Sequence, residues 1–160
     1  MKTRLTARAV LLDPTDRVLL FQFQLPAGMI SEGPRRFWAT PGGAIEAGED
    51  ARVAVEREVR EETGLGEFEI GPELWAGEQT LTLNSVPTFT RERFFLVRAN
   101  AVALNRDGWT DLEKEVMRDH RWWTIDDLMS TRERIFPANF GVLVAQFLRD
   151  GSNGVRQIEL

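Results

Sequence analysis

The sequence contains no cysteine, a single histidine and no long uninterrupted apolar run. Without cysteine there is neither a disulfide framework nor a zinc–thiolate site, which agrees with a reducing, cytoplasmic setting. One histidine, His120, cannot make a histidine-clustered metal centre, and a surface or packing role is expected for it. The apolar stretch from Met1 to Leu12 is interrupted by Arg4 and Arg8, so neither a signal peptide nor a membrane span is expected. Repeats and low-complexity tracts are absent. So is any basic stripe. With a net charge of −5, a nucleic-acid polymer is a poor main partner, whereas free nucleotides stay compatible because a metal and local arginines can meet their phosphates.

What is present is a chain of 160 residues, enough for one domain with a sizeable core. That domain is expected over residues 1–150, with the polar segment 151–160 as a loose tail. Strands are expected at Thr6–Leu12 and Val18–Phe23 around the turn Asp13-Pro14-Thr15-Asp16, and again at Leu74–Leu83, Arg91–Arg98 and Arg121–Ile125. Gln24–Arg36, with two prolines and two glycines, reads as a loop. Asp126–Met129 starts a helix, and Asn139–Leu148 has the 3.6-residue period of another. Mixed strands with two or three helices imply an α/β fold with helices on both faces of one sheet.

The most informative segment lies between Gly43 and Leu65, which holds six glutamates. Val53, Ala54, Val55 and Val59 give it a helical apolar stripe, and Gly64 sits where a left-handed C-terminal cap belongs. Glu58, Glu61 and Glu62 then fall at i, i+3 and i+4 near the helix C-terminus. Like charges repel at that spacing and also face the negative end of the helix dipole, each effect costing a few tenths to about 1 kcal/mol. Conflicts of one sign in one place point to function. A bound divalent cation is the simplest neutraliser, and oxygen ligands favour Mg²⁺ or Mn²⁺ over zinc.

The spacing Gly43-x5-Glu49-x7-Arg57-Glu58-Val59-x-Glu61-Glu62-x-Gly64-Leu65 resembles the Nudix box at every fixed position, and Trp38-Ala39-Thr40-Pro41-Gly42-Gly43 is similar to its usual lead-in. The resemblance covers about residues 4 to 149. It implies an α/β/α sandwich with a mixed sheet and a loop–helix–loop catalytic motif. It also implies that Glu58, Glu61 and Glu62 are metal ligands, with Glu61 and Glu62 the core pair, Glu49 a ligand or network carboxylate, and Arg57 the orienter of a catalytic carboxylate. Glu46 and Glu56 are expected to be solvated. Gly42 and Gly43 would allow close approach of backbone and substrate.

Outside the box the residues are less specific. The general base is a box glutamate or a later carboxylate, Glu115 first and Glu113 second. Trp38, Phe21 and Phe23 are candidates to stack on a base, against the ordinary role of strand aromatics as core. Arg8 is a candidate phosphate contact, as are Arg35 and Arg36, for which a solvated surface role is preferred. Phe136-Pro137-Ala138-Asn139 resembles a stretch of Nudix enzymes that clean oxidised guanine nucleotides, in which the Asn reads the base, although Asn139 suits a helix N-cap better.

The function implied is Mg²⁺-dependent hydrolysis of a nucleoside diphosphate linked to another moiety. The alternative is a house-cleaning pyrophosphatase of damaged nucleoside triphosphates. A non-catalytic nucleotide sensor would show an eroded box and an attached DNA-binding segment, and an isoprenoid diphosphate isomerase would want a reactive cysteine. Homodimers are frequent in the family.

Overall fold

A computed structural model describes residues 1–160. The first half runs β1 (Lys2–Leu12), β2 (Val18–Gln24), β3 (Arg36–Ala39), β4 (Gly42–Ala44), α1 (Ala51–Thr63) and β5 (Phe68–Leu83). It continues through β6 (Val86–Ala99), α2 (Asp111–Val116), β7 (Met117–Trp123), α3 (Ile125–Ser130), β8 (Ile135–Phe136), α4 (Phe140–Asp150) and β9 (Arg156–Gln157). The main path of the sheet is β8-β3-β2-β1-β6-β5-β9, with β4 added to β1 and β7 to β2. β1 and β6 pair in parallel while β1–β2, β2–β3 and β5–β6 are antiparallel, so the sheet is mixed.

Side chains alternate across a strand, and here each face of the sheet has its own core. Ala7, Ala9, Leu11, Leu19, Phe21, Phe95 and Val97 pack with Ala54, Val55 and Val59 of α1. Val10, Leu12, Leu20, Phe94 and Leu96 pack on the other face with Leu128 of α3 and Phe140, Leu143 and Val144 of α4. The expected layering of helices on both faces is therefore present. No helix is long and apolar enough to cross a membrane.

Several elements differ from the sequence expectation. β5 and β6 are longer than the runs Leu74–Leu83 and Arg91–Arg98. Their outer parts contain Gly71-Pro72 and Pro87, and the ladder shifts register between Ile70 and Trp75, which hides the strand pattern. β7 begins at Met117, in a polar stretch whose pairing with β2 replaces intrinsic propensity. Residues 151–160 are also not a loose tail. β9 pairs in parallel with Trp75 and Ala76 of β5, Ile158 N–H donates to Ala76 O at 2.9 Å, and Ile158 and Leu160 pack on the α4-side core. A Cβ at Gly77 would lie 2.7 Å from Leu160 Cγ, so the glycine is what lets this segment dock.

Candidate active site

α1 is fixed at both ends. The Asp50 side chain accepts from Val53 N–H at 2.9 Å as N-cap, and Gly64 closes the helix in the left-handed region at φ 73. Its buried face reads Ala51, Ala54, Val55, Glu58, Val59, Glu62. Two carboxylates thus occupy positions that would otherwise be apolar. At 3.6 residues per turn, Glu61 and Glu62 point about 100° apart. Glu62 is consequently 3% exposed, whereas the Glu61 side chain remains 43% exposed.

The β4 backbone meets this face. Gly42 N–H reaches the two Glu62 carboxylate oxygens at 3.4 and 3.3 Å. A Cβ on Gly43 would sit 2.5 Å from Glu58 Oε1, and one on Gly42 would sit 2.3 Å from Ala7 O. Gly42 is demanded by the backbone it meets, whereas a side chain at Gly43 would displace the Glu58 carboxylate. From the far side comes Glu113 of α2, half-buried, with one carboxylate oxygen each from Glu58, Glu62 and Glu113 lying within 4.8 Å of one another.

Arg57 ties the loop before α1 to the helix. Its Nε and Nη2 each donate to Glu49 at 2.8 Å, Nη1 donates to Glu58 Oε1 at 2.9 Å and Glu61 Oε2 at 3.3 Å, and Nη2 reaches Ala44 O at 3.2 Å. The hydrogen bonds from Arg57 pull the Glu49 carboxyl down to about 2, and those same partners push the guanidinium further up. Burial moves Glu58 and Glu62 the other way. Glu58 is raised by desolvation against the opposing pull of Arg57. Desolvation first, then the negative charges of Glu58 and Glu113, holds Glu62 well above the ordinary carboxylate range. A buried carboxylate beside two others is an unmet demand for positive charge. The oxygen-only donor set suits a hard divalent cation.

The cluster forms part of a cleft of about 1250 Å³. Phe23 and Phe37 line it as a stacked pair, centroids 5.5 Å apart and planes 16° from parallel. Arg8 lines it too, and its Nε donates to Glu92 Oε2 at 2.6 Å. Burial alone would lower the Arg8 guanidinium, but the Glu92 carboxylate beside it leaves it raised overall.

The sequence model of the NUDIX domain matches residues 2–143. This chain belongs to the NUDIX family. A 64-residue segment is 44% identical to the uncharacterized Nudix hydrolase YvcI of Bacillus subtilis, covering 39% of this chain and 33% of that relative. The matched part is thus about a third of the curated relative's length. Among solved structures, a UDP-X diphosphatase is similar with a TM-score of 0.66 at 15% identity, over 99% of this chain and 68% of that one. A NUDIX hydrolase from Nitrosomonas europaea is similar at 0.63 and 23% identity, over 96% and 93% of the two chains.

Within this Nudix domain, the geometry separates the sequence candidates. Glu49, Arg57, Glu58, Glu61, Glu62, Gly42 and Gly43 come together. Glu115 does not: it is exposed on α2, and Glu113, two residues earlier in the capping-box position, is the residue that meets Glu58 and Glu62. Trp38 is withdrawn into the α4-side core, 5% exposed and edge-on to Trp123 at 5.2 Å. Its strand neighbour Phe37 faces the cleft instead, because adjacent strand residues point to opposite faces. Phe21 is core, and Phe23 reaches the cleft. Asn139 precedes α4 without any side-chain cap bond, at φ −96 and ψ 18 rather than in an extended conformation. Its exposed side chain lines the cleft. Glu46 stands 3.8 Å from Arg57 and Glu56 pairs with Arg60 at 3.2 Å, both largely in solvent.

Two further features escaped the sequence reading. Phe37 carried no signal beyond its strand, since a four-residue strand leaves its facing undetermined. Glu92 and Arg4 join Arg8 in lining the cleft, and Arg8 could have flagged Glu92 only through knowledge of the β1–β6 pairing, which sets Arg8 opposite Phe94.

Proposed function

We propose that this chain is a Mg²⁺-dependent Nudix hydrolase that splits a phosphoanhydride bond in a nucleoside diphosphate linked to another moiety, by attack of water at phosphorus. The observation that carries this reading is the buried carboxylate cluster of Glu58, Glu62 and Glu113 in the wall of the cleft. Two oxygens on one octahedral Mg²⁺ lie about 3.0 to 4.2 Å apart, so a cluster spanning 4.8 Å needs only a small contraction to fit. Glu58, Glu62 and Glu113 would hold the ion, which when bound supplies charge neutralisation on the phosphates and a more acidic water.

The remaining roles belong to side chains. Arg57 holds Glu49 with a two-pronged contact and keeps Glu58 and Glu61 aimed into the site, a geometry that only a planar guanidinium provides. Glu61, the exposed carboxylate at the cleft, takes the proton of the attacking water. Arg8 offers positive charge to a phosphate, and the Phe23–Phe37 pair offers a flat apolar surface to a base.

Turnover of a panel tests the reading: nucleoside triphosphates, oxidised guanine triphosphate, ADP-ribose, nucleotide sugars and dinucleoside polyphosphates, each with Mg²⁺ and with EDTA. Cleavage of a diphosphate-linked class that EDTA abolishes is expected. Binding without cleavage of any member would instead make the chain a nucleotide sensor.

A second reading rests on Asn139, whose side chain is free of any capping bond and lines the cleft. It favours a pyrophosphatase of damaged nucleoside triphosphates. On that reading Asn139→Ala lowers kcat/KM for oxidised guanine triphosphate by about 10-fold or more, the size of a lost base-edge contact, and erases the preference over the normal triphosphate. Equal turnover of both before and after the change would reject it.

The identity of the carboxylate on α2 has its own check. Glu113→Gln is expected to raise the Mg²⁺ concentration for half-maximal rate by about 10-fold or more, while Glu115→Gln leaves it unchanged. The reverse pattern would return the role to Glu115.

A further inference from the structure

Glu113 needs an explanation of its own. It belongs to a six-residue helix that follows a loop with no regular structure over residues 100–110. Yet it sits against two other carboxylates, an arrangement that self-repulsion should open. Something must hold α2 against α1.

Three adjacent residues do so. Trp109 is 9% exposed and its Nε1–H donates to Glu62 O at 2.6 Å in a buried hydrogen bond. That carbonyl lies in the last turn of α1, where carbonyls have no partner within the helix. The Trp109 ring is held edge-on by Phe21, centroids 5.9 Å apart, with the Arg106 guanidinium 4.5 Å from its centre. Gly108 allows the approach: a Cβ there would lie 2.6 Å from Glu61 O and 2.9 Å from Glu61 Cα. Thr110 then starts α2 with a reciprocal cap. Its hydroxyl accepts from Glu113 N–H at 3.1 Å, and its own N–H donates to Glu113 Oε1 at 2.9 Å. One Glu113 oxygen is thereby oriented by the backbone. Asn105 N–H adds a further tie to Thr63 O at 2.9 Å.

We propose that Gly108-Trp109-Thr110 is a positioning clamp that sets Glu113 against Glu58 and Glu62, with the Trp109 indole N–H as its anchor. The backbone carbonyl of Glu62 is thus the reference point for a carboxylate arriving from a separate helix. Trp109 touches neither substrate nor cation on this view. It acts only through Glu113. The inference rests on the divalent-cation reading above, and its test separates the two.

The test is Mn²⁺ binding to the EDTA-stripped, dialysed full chain by titration calorimetry, with no substrate and no turnover. Trp109→Phe keeps the ring and removes the donor, and it is expected to weaken Mn²⁺ by about tenfold. In a Glu113→Gln background the same change should have no further effect, because the residue it positions no longer contributes. Gly108→Ala, which pushes the loop off α1, should likewise weaken Mn²⁺ in the wild-type background and have no further effect in the Glu113→Gln background, and it covers the case in which Trp109→Phe fails to fold. Equal weakening with and without Glu113, or no weakening at all, would overturn the clamp while leaving the cation site standing. A wild-type chain that binds no Mn²⁺ would overturn the cation site, and the clamp with it.

Discussion

Glu62→Gln is expected to abolish turnover and, in EDTA, to raise the melting temperature. The activity loss follows from removing a buried ligand oxygen and its charge, with a drop in kcat of about 100-fold or more. The stability gain follows from the same burial. Glu62 is 3% exposed, and its only hydrogen-bond donor is the distant Gly42 N–H. Relief of a buried polar group without a good partner is worth about 1–3 kcal/mol, or roughly 2–10 °C for a domain of this size.

The effect depends on pH, with a definite sign. Because the folded-state pKa of Glu62 lies well above its ordinary 4.5, the folded chain binds the proton more tightly than the unfolded one. Below 4.5 both states carry the proton and the carboxyl imposes no penalty. As pH rises from 4.5 through the raised value, metal-free wild type loses this contribution to stability, and Glu62→Gln, which lacks the carboxyl, loses less. Glu58 adds to the same trend because burial raises it too. Glu49 runs oppositely: drawn down to about 2 by Arg57, it supports the fold throughout this range and is lost only in strong acid. Thermal melts in EDTA at a series of pH values would therefore show the two curves together in acid and diverging upward, with Mg²⁺ closing the gap. Superimposable melts at neutral pH, or a variant that still turns over, would refute the account of Glu62.

Arg57→Lys is expected to cut kcat by about 100-fold with little change in KM. The substitution keeps the charge, so what it tests is geometry. Arg57 spans two Glu49 oxygens, Glu58, Glu61 and the Ala44 carbonyl within 2.8 to 3.3 Å, and one ammonium cannot replace a rigid fork over that distance. The three carboxylates it aligns should become mobile, while the cleft that binds the nucleotide is unaltered. Steady-state kinetics beside a thermal melt would check this. A wild-type kcat in a stably folded Arg57→Lys chain would remove Arg57 from the proposed mechanism.

The parts of this molecule that could be read in advance are those governed by local rules. Asp50, Gly64 and the apolar period of α1 fix one helix and its ends, and the spacing of its glutamates needs nothing beyond that helix. What escaped was decided by partners distant in sequence. Trp38 and Phe37 exchange roles on the facing of a four-residue strand, which its neighbours β2 and β8 set. Asn139 obeys cap statistics by type but not by conformation, because the loop before it delivers it at ψ 18. β9 is two residues long and exists because the edge of β5 is there to pair with. The choice of Glu113 over Glu115 was available from Thr110-x-x-Glu113, a capping-box spacing that marks which carboxylate is turned inward.

The parallel β1–β6 pairing sets Lys2 opposite Thr88 and Leu12 opposite Arg98, partners separated by more than half the chain. Closing so long a loop is entropically costly, and folds dominated by such contacts form slowly. α1 with its acidic face lies inside that loop, and α2 with Glu113 lies beyond it. A refolding chain therefore cannot assemble the carboxylate cluster until strands from distant parts of the chain have met, and catalytic competence should return with the slowest phase of folding rather than with the early appearance of helix.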